Sequence, residues 1–140
     1  MIDSQTLGRL GEESAALYLT RHGYRVLHRG LRLGRAEIDI VAENEEYLVF
    51  VEVKTRRQLS GRSSPFGVPS EAVDERKRAM LISGAERYIA ENVTDKLVRI
   101  DVIEVYADPY SDVYRVLDIR HLENAVRRIG KFSRRGNRGG

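Results

Sequence analysis

The sequence predicts an α/β fold: a mixed central sheet flanked by helices, in the order helix, three strands, helix, strand, followed by a further strand and a short helix. Three observations predict it. Ser4 to Arg21 repeats its apolar residues at helical spacing. Ile38–Ala42 and Tyr47–Thr55 are short β-branched runs separated only by Glu43-Asn44-Glu45-Glu46, a polar loop of hairpin length, so they pair antiparallel. A second helical pattern then separates Tyr47–Thr55 from another β-branched run, Leu97–Tyr106, and a connection of that length makes these two strands parallel.

The first helix carries Leu7, Leu10, Ser14, Leu17 and Tyr18 on one stripe and Gly8, Glu12, Ala15 and Leu19 on its neighbour. A glycine inside a helix costs about 1 kcal/mol against alanine, so Gly8 and Gly11 imply close approach of another backbone. That geometry allows Glu12 to point inward at the sheet, but on the residues alone an ordinary surface glutamate beside Glu13 is the favoured reading. Gly23 ends the helix and Tyr24–Arg29 makes the first strand. Ser70 is placed to cap a helix from Glu71 to Glu91 with the stripe Val73, Lys77, Met80, Leu81, Gly84 and Tyr88. Lys77 is out of character there. Either its stem snorkels past the helix end, or its ammonium reaches the active-site cleft. In Leu97–Tyr106, Arg99 and Asp101 share a face and are expected to pair with each other, a structural role for Asp101. Val113–Ile119 and Leu122–Ile129 read as the last strand and the short helix.

The central hairpin holds charges that an apolar strand should not contain. Alternate side chains of a strand share a face, so Glu52 and Lys54 point the same way in VFVEVK, beside Leu48 and Phe50. Glu37 and Asp39 share a face of the preceding strand. A loop spanning Asn44 to Tyr47 puts Asp39 directly across from Glu52, and a slightly tighter turn moves it about one pair away. Carboxylates so placed repel, and in an apolar setting they call for a cation between them. Lys54 supplies a positive charge that can balance the site or stabilise a developing anion. On an exposed strand, Glu-x-Lys would be only a solvated pair. The apolar surroundings and the acid across the hairpin favour a metal-dependent phosphodiesterase site. No zinc site is indicated, because His22, His28 and His121 are scattered at no ligand spacing.

These residues also carry a resemblance. The motifs Gly8-Arg9-Leu10-Gly11-Glu12, Gly23-Tyr24-Arg25-Val26-Leu27, Glu37-Ile38-Asp39, Val49-Phe50-Val51-Glu52-Val53-Lys54, Pro69-Ser70-Glu71-Ala72-Val73 with Lys77, and Arg99-Ile100-Asp101-Val102-Ile103 together resemble the YraN-like family of bacterial proteins. That family is similar to archaeal Holliday-junction resolvases of the PD-(D/E)XK nuclease superfamily. The resemblance spans about Gly8 to Val105 and implies a restriction-endonuclease-like core. It further implies Asp39 and Glu52 as ligands of Mg²⁺ or Mn²⁺, Lys54 as the catalytic lysine, Glu12 as the upstream helix acid, structured or branched DNA as substrate, and a homodimer. A nuclease-fold protein that binds DNA without cutting is the alternative. One position departs from the family pattern: Ala36 stands where a glycine is usual, and would be strained if the site needed a positive φ.

At 140 residues the chain suits one domain, here 1–126, with 127–140 as a basic tail. There is no cysteine, which excludes disulfides, thiolate metal sites and a cysteine nucleophile. With no signal-like apolar run, the expected location is the cytoplasm, away from membranes. The formal charge of +3 is unevenly spread. The tail holds six of the 24 Lys and Arg residues and none of the 21 acids, so residues 1–126 are near −3. Such a tail, with Arg134 and Arg135, is expected to lack a core and to follow a polyanion, or else only to solubilise. The Ser/Gly/Pro-rich connection Arg56 to Ser70 brings Arg56, Arg57 and Arg62 to the strand end after Lys54, where a phosphate backbone must pass. With Lys77 these are the expected nucleic-acid contacts; Phe66 anchors the loop more readily than it stacks on a base.

Overall fold

The computed structural model describes residues 1–59 and 73–126. Its elements are α1 (Ser4–Arg21), β1 (Arg25–Leu33), β2 (Ala36–Glu43), β3 (Tyr47–Arg57), α2 (Glu75–Glu91), β4 (Leu97–Ala107) and β5 (Val116–Leu122). The five strands form one sheet in the order β1-β2-β3-β4-β5. Every neighbouring pair is antiparallel except β3 and β4, which are parallel, as the crossover through α2 requires. No helix among the described residues is long and apolar enough to cross a membrane.

Alternation along β3 divides the core. Val49 and Val51 join Ile40, Ala42, Ile103 and Val105 beneath Ala15 and Leu19 of α1. Leu48 and Phe50 join Ile38, Val41, Ile100 and Val102 beneath Leu81, Ala85, Tyr88 and Ile89 of α2. The helices therefore lie on opposite faces of the sheet.

The bounds of α1 are as predicted, but its buried row is Leu7, Gly11, Ala15 and Leu19, and Leu17 is half exposed. The cause is Gly11. A Cβ there would lie 1.8 Å from Thr55 Oγ1, so the missing side chain seats the helix with this row down. What approaches is a side chain, not a backbone, and Gly8 has no such neighbour. The start of α2 is also corrected: Asp74 is the N-cap, its carboxylate accepting from the Lys77 amide at 2.8 Å. The expected cap Ser70, with Glu71, lies outside the described residues, as do Arg62, Phe66 and the tail with Arg134 and Arg135. The expected final helix Leu122–Ile129 is corrected over its described part: Leu122 ends β5 and residues 123–126 form a turn, with Asn124 at φ 54° and its amide bonded to Asp101, while 127–129 lie outside the described residues. The last strand runs later than expected, at Val116–Leu122, because Asp108 to Arg115 form the β4–β5 connection, closed by an Asp108 amide bond to the Arg115 carbonyl. Ala36 is unstrained: Asn124 is the one non-glycine with positive φ among the described residues, and Ala36 packs against Gly84 of α2.

Candidate metal-dependent nuclease site

The β2–β3 turn is closed by the Asn44 amide on the Tyr47 carbonyl, and the Asn44 side-chain oxygen accepts from the amides of Glu46 and Tyr47. This turn fixes the register Glu43↔Leu48 through Ile40↔Val51, where the ladder ends one position short of Asp39 and Glu52, close enough for the charge of Glu52 to act on Asp39. The predicted confrontation is thus present, with an added local feature. Ile38 and Ile40 should share a face, yet Ile38 packs under α2 and Ile40 under α1. The strand rotates between them, at Asp39, where the facing position in β1 is Gly30 with φ 60°. The rotation brings Asp39 to the end of the β2–β3 ladder, where its Oδ2 accepts from the Val53 amide at 2.8 Å.

Glu52 is 3% exposed. Its Oε2 lies 3.3 Å from Lys54 Nζ and 3.4 Å from Lys77 Nζ. Lys77 therefore meets Glu52 on the sheet, though it does not itself line the cleft between α1 and the end of β3. It sits in the first turn of α2, where the helix dipole disfavours a cation, and Glu52 compensates. Glu52 Oε1 is buried with no hydrogen-bond partner among the described residues. Asp39 is pushed up to about 7, first by burial and then by the charge of Glu52, against the opposing pull of the Val53 amide. Glu12 is also raised, by burial first, with Arg29 opposing and Glu37 and Glu52 adding to the rise. The three acids, with Lys54 and Arg57, line a cleft of about 400 Å³ between the N-terminal half of α1 and the end of β3.

Other predicted residues are placed differently. Arg56 lies 3.3 Å from Glu104 Oε2, a buried acid that also accepts from Tyr106 at 2.7 Å. Arg57 donates to the Ile2 carbonyl, just before α1. Asp101 takes two bonds from Arg99, at 3.0 and 2.8 Å, the expected structural pair. His121 at 2.7 Å and the Asn124 amide at 2.8 Å complete its shell. Sequence reasoning missed Glu104 and the place of His121; the one signal for Glu104 was an acid inside the apolar run VIEVY.

The model of the uncharacterised protein family UPF0102 matches residues 11–105. The chain belongs to that family. A UPF0102 protein of Caldanaerobacter subterraneus subsp. tengcongensis is 38% identical over 89% of this chain and 97% of its own length. One from Clostridium acetobutylicum is 40% identical over 84% of this chain and 91% of its own, and one from Syntrophotalea carbinolica is 46% identical over 71% and 78%. The UPF0102 match encloses Glu12, Asp39, Glu52, Lys54 and Lys77 and stops short of the tail.

Proposed function

We propose that this UPF0102 protein is a divalent-metal-dependent endodeoxyribonuclease acting on structured or branched DNA. The observation that carries the proposal is the opposition of a half-buried Asp39 and a buried Glu52 that both line the cleft, with Glu52 Oε1 left without a hydrogen-bond partner among the described residues. Among the described residues no three His, Cys, Asp or Glu side chains gather as a ligand set. Two hard carboxylates suit Mg²⁺ or Mn²⁺, which keep several waters and take one or two acids, better than they suit zinc. A bound ion of this kind would lower the pKa of a coordinated water and offset phosphate charge. Asp39 and Glu52 would hold it. Lys54, one third exposed beside Glu52, can position the attacking water or accept its proton. Glu12, across the cleft on α1, can orient a water from further out. The sequence motifs' resemblance to Holliday-junction resolvases would imply the substrate class and a twofold assembly with two such sites.

The test is incubation of the purified protein with branched, flapped, single-stranded and duplex DNA in Mg²⁺, Mn²⁺ or EDTA. Nicking of branched DNA is expected with either ion and not in EDTA, and Lys54→Met should slow it by about 10²–10⁴-fold. Absence of cleavage with every substrate and ion would overturn the proposal. One observation favours a second class, a nuclease-fold protein that only binds DNA: two lysines already neutralise Glu52 Oε2. That protein would hold DNA equally in EDTA and never nick it.

A further inference from the structure

Glycine inside a helix is destabilising relative to alanine, so each one needs a reason. Gly11 has one in Thr55. Gly8 does not: no heavy atom lies within 4 Å of where its Cβ would sit. Packing within the described residues therefore does not account for it. Gly8 lies between Ser4 and Glu12 at spacings of four, so these three form one row of α1, and all three line the cleft. Glu52, whose buried Oε1 has no hydrogen-bond partner among the described residues, lines the same cleft. At its mouth Arg57 is tied to the Ile2 carbonyl, and among the described residues no carboxylate lies within ion-pairing distance of its guanidinium. Lys54, Lys77 and Arg56, by contrast, are engaged by Glu52 and Glu104.

We infer that Gly8 and Arg57 form a subsite for the sugar–phosphate backbone of a nucleic-acid strand, at the phosphate adjacent to the one attacked. This rests on the proposed nuclease function and specifies how its substrate enters. A bare helix surface permits close backbone approach to a ligand, and a guanidinium forks onto phosphate oxygens. The strand passes over the floor at Gly8, with the neighbouring phosphate on Arg57 and the scissile one before Asp39 and Glu52. Contacts of this kind set position and carry no sequence preference.

The experiment compares full-length wild type with Gly8→Gln and Arg57→Gln. It measures melting temperature, affinity in EDTA for a synthetic four-way junction and a single-stranded oligonucleotide, and cleavage in Mn²⁺. Glutamine is a good helix former, so Gly8→Gln should melt about 2–4 °C higher. It should nevertheless bind both DNAs roughly tenfold or more weakly. Arg57→Gln should make the salt dependence shallower by about one phosphate's slope. Affinity of Gly8→Gln within twofold of wild type, or a lowered melting temperature, would overturn the subsite. A wild type that binds but never cuts removes the nuclease proposal while the affinities still decide the subsite; a wild type that neither binds nor cuts removes both.

Discussion

Asp101, fully buried, and Asp39, half-buried, show how partners decide ionisation. Burial pushes the carboxyls of both Asp39 and Asp101 upward. For Asp101 the bonds from His121, Arg99 and the Asn124 amide outweigh burial and hold it below the ordinary value. Asp39 has one amide and faces a second carboxylate, so it rises to about 7. The sign follows directly. A carboxyl raised in the folded state keeps its proton where the unfolded chain has lost it, so stability falls as pH rises from about 4 to about 7 and then levels off. Relative to Asp39→Asn, the wild type should lose at most about 4 kcal/mol across that window, measured by urea unfolding at several pH values. Mn²⁺ or Mg²⁺ at pH 8 should reverse the loss and raise the melting temperature. Glu52→Gln should abolish the rise, whereas an equal rise in Asp39→Asn/Glu52→Gln would exclude these residues as ligands. Opposed carboxylates were legible in the sequence because an Asn-led turn fixes the pairing. The unpaired oxygen was not, because it depends on where two lysines from different elements come to rest.

At the level of elements, α1 and the β2–β3 hairpin could be drawn almost to the residue, since their signals are local: helical spacing and a short polar loop, which the structure shows fixed by the Asp3 cap and the Asn44 turn. The beginning of α2 could not, because Ser70 and Asp74 are both competent caps and only tertiary packing chooses between them. Nor did alternation reveal the rotation at Asp39, which depends on the backbone of β1. Gly30 is held at φ 60°, where an L side chain costs about 1–2 kcal/mol. Gly30→Ala should lose about that stability in urea unfolding, and any cleavage should fall with it because Asp39 is set by the same rotation; Gly30→Asn should lose less. Gly11→Ala opposes two effects. Helix propensity gains about 1 kcal/mol, while forcing a methyl against Thr55 costs about 1–3 kcal/mol, because even Thr55 Cβ lies 2.9 Å away and rotation cannot clear it. A net loss of up to about 2 kcal/mol is expected, partly relieved by Thr55→Ala, as measured by denaturant midpoints.

For the whole molecule, the proposed function gives the acidic body and the basic tail different parts to play. Long-range attraction to DNA should fall to Arg127, Arg128, Lys131, Arg134, Arg135 and Arg138. Deleting residues 131–140 removes four of these charges and should make the slope of log affinity against log salt shallower by about 3–4, with single-turnover cleavage at saturating enzyme little changed. An unchanged slope would make the tail a solubilising appendage. The neighbours of β3 have a further consequence, in time. On one side its partner is joined by a turn of a few residues, while on the other Val51 faces Asp101, fifty positions along the chain. Hairpins close in roughly 1–10 μs, but a distant parallel strand must await costly loop closure. Asp39 and Glu52 therefore confront each other before α2 delivers Lys77. Repulsion then has only Lys54 of the same strand to offset it, so refolding should run fastest in mildly acidic buffer or with Mg²⁺ present, conditions that quiet the hairpin while the remainder of the chain catches up.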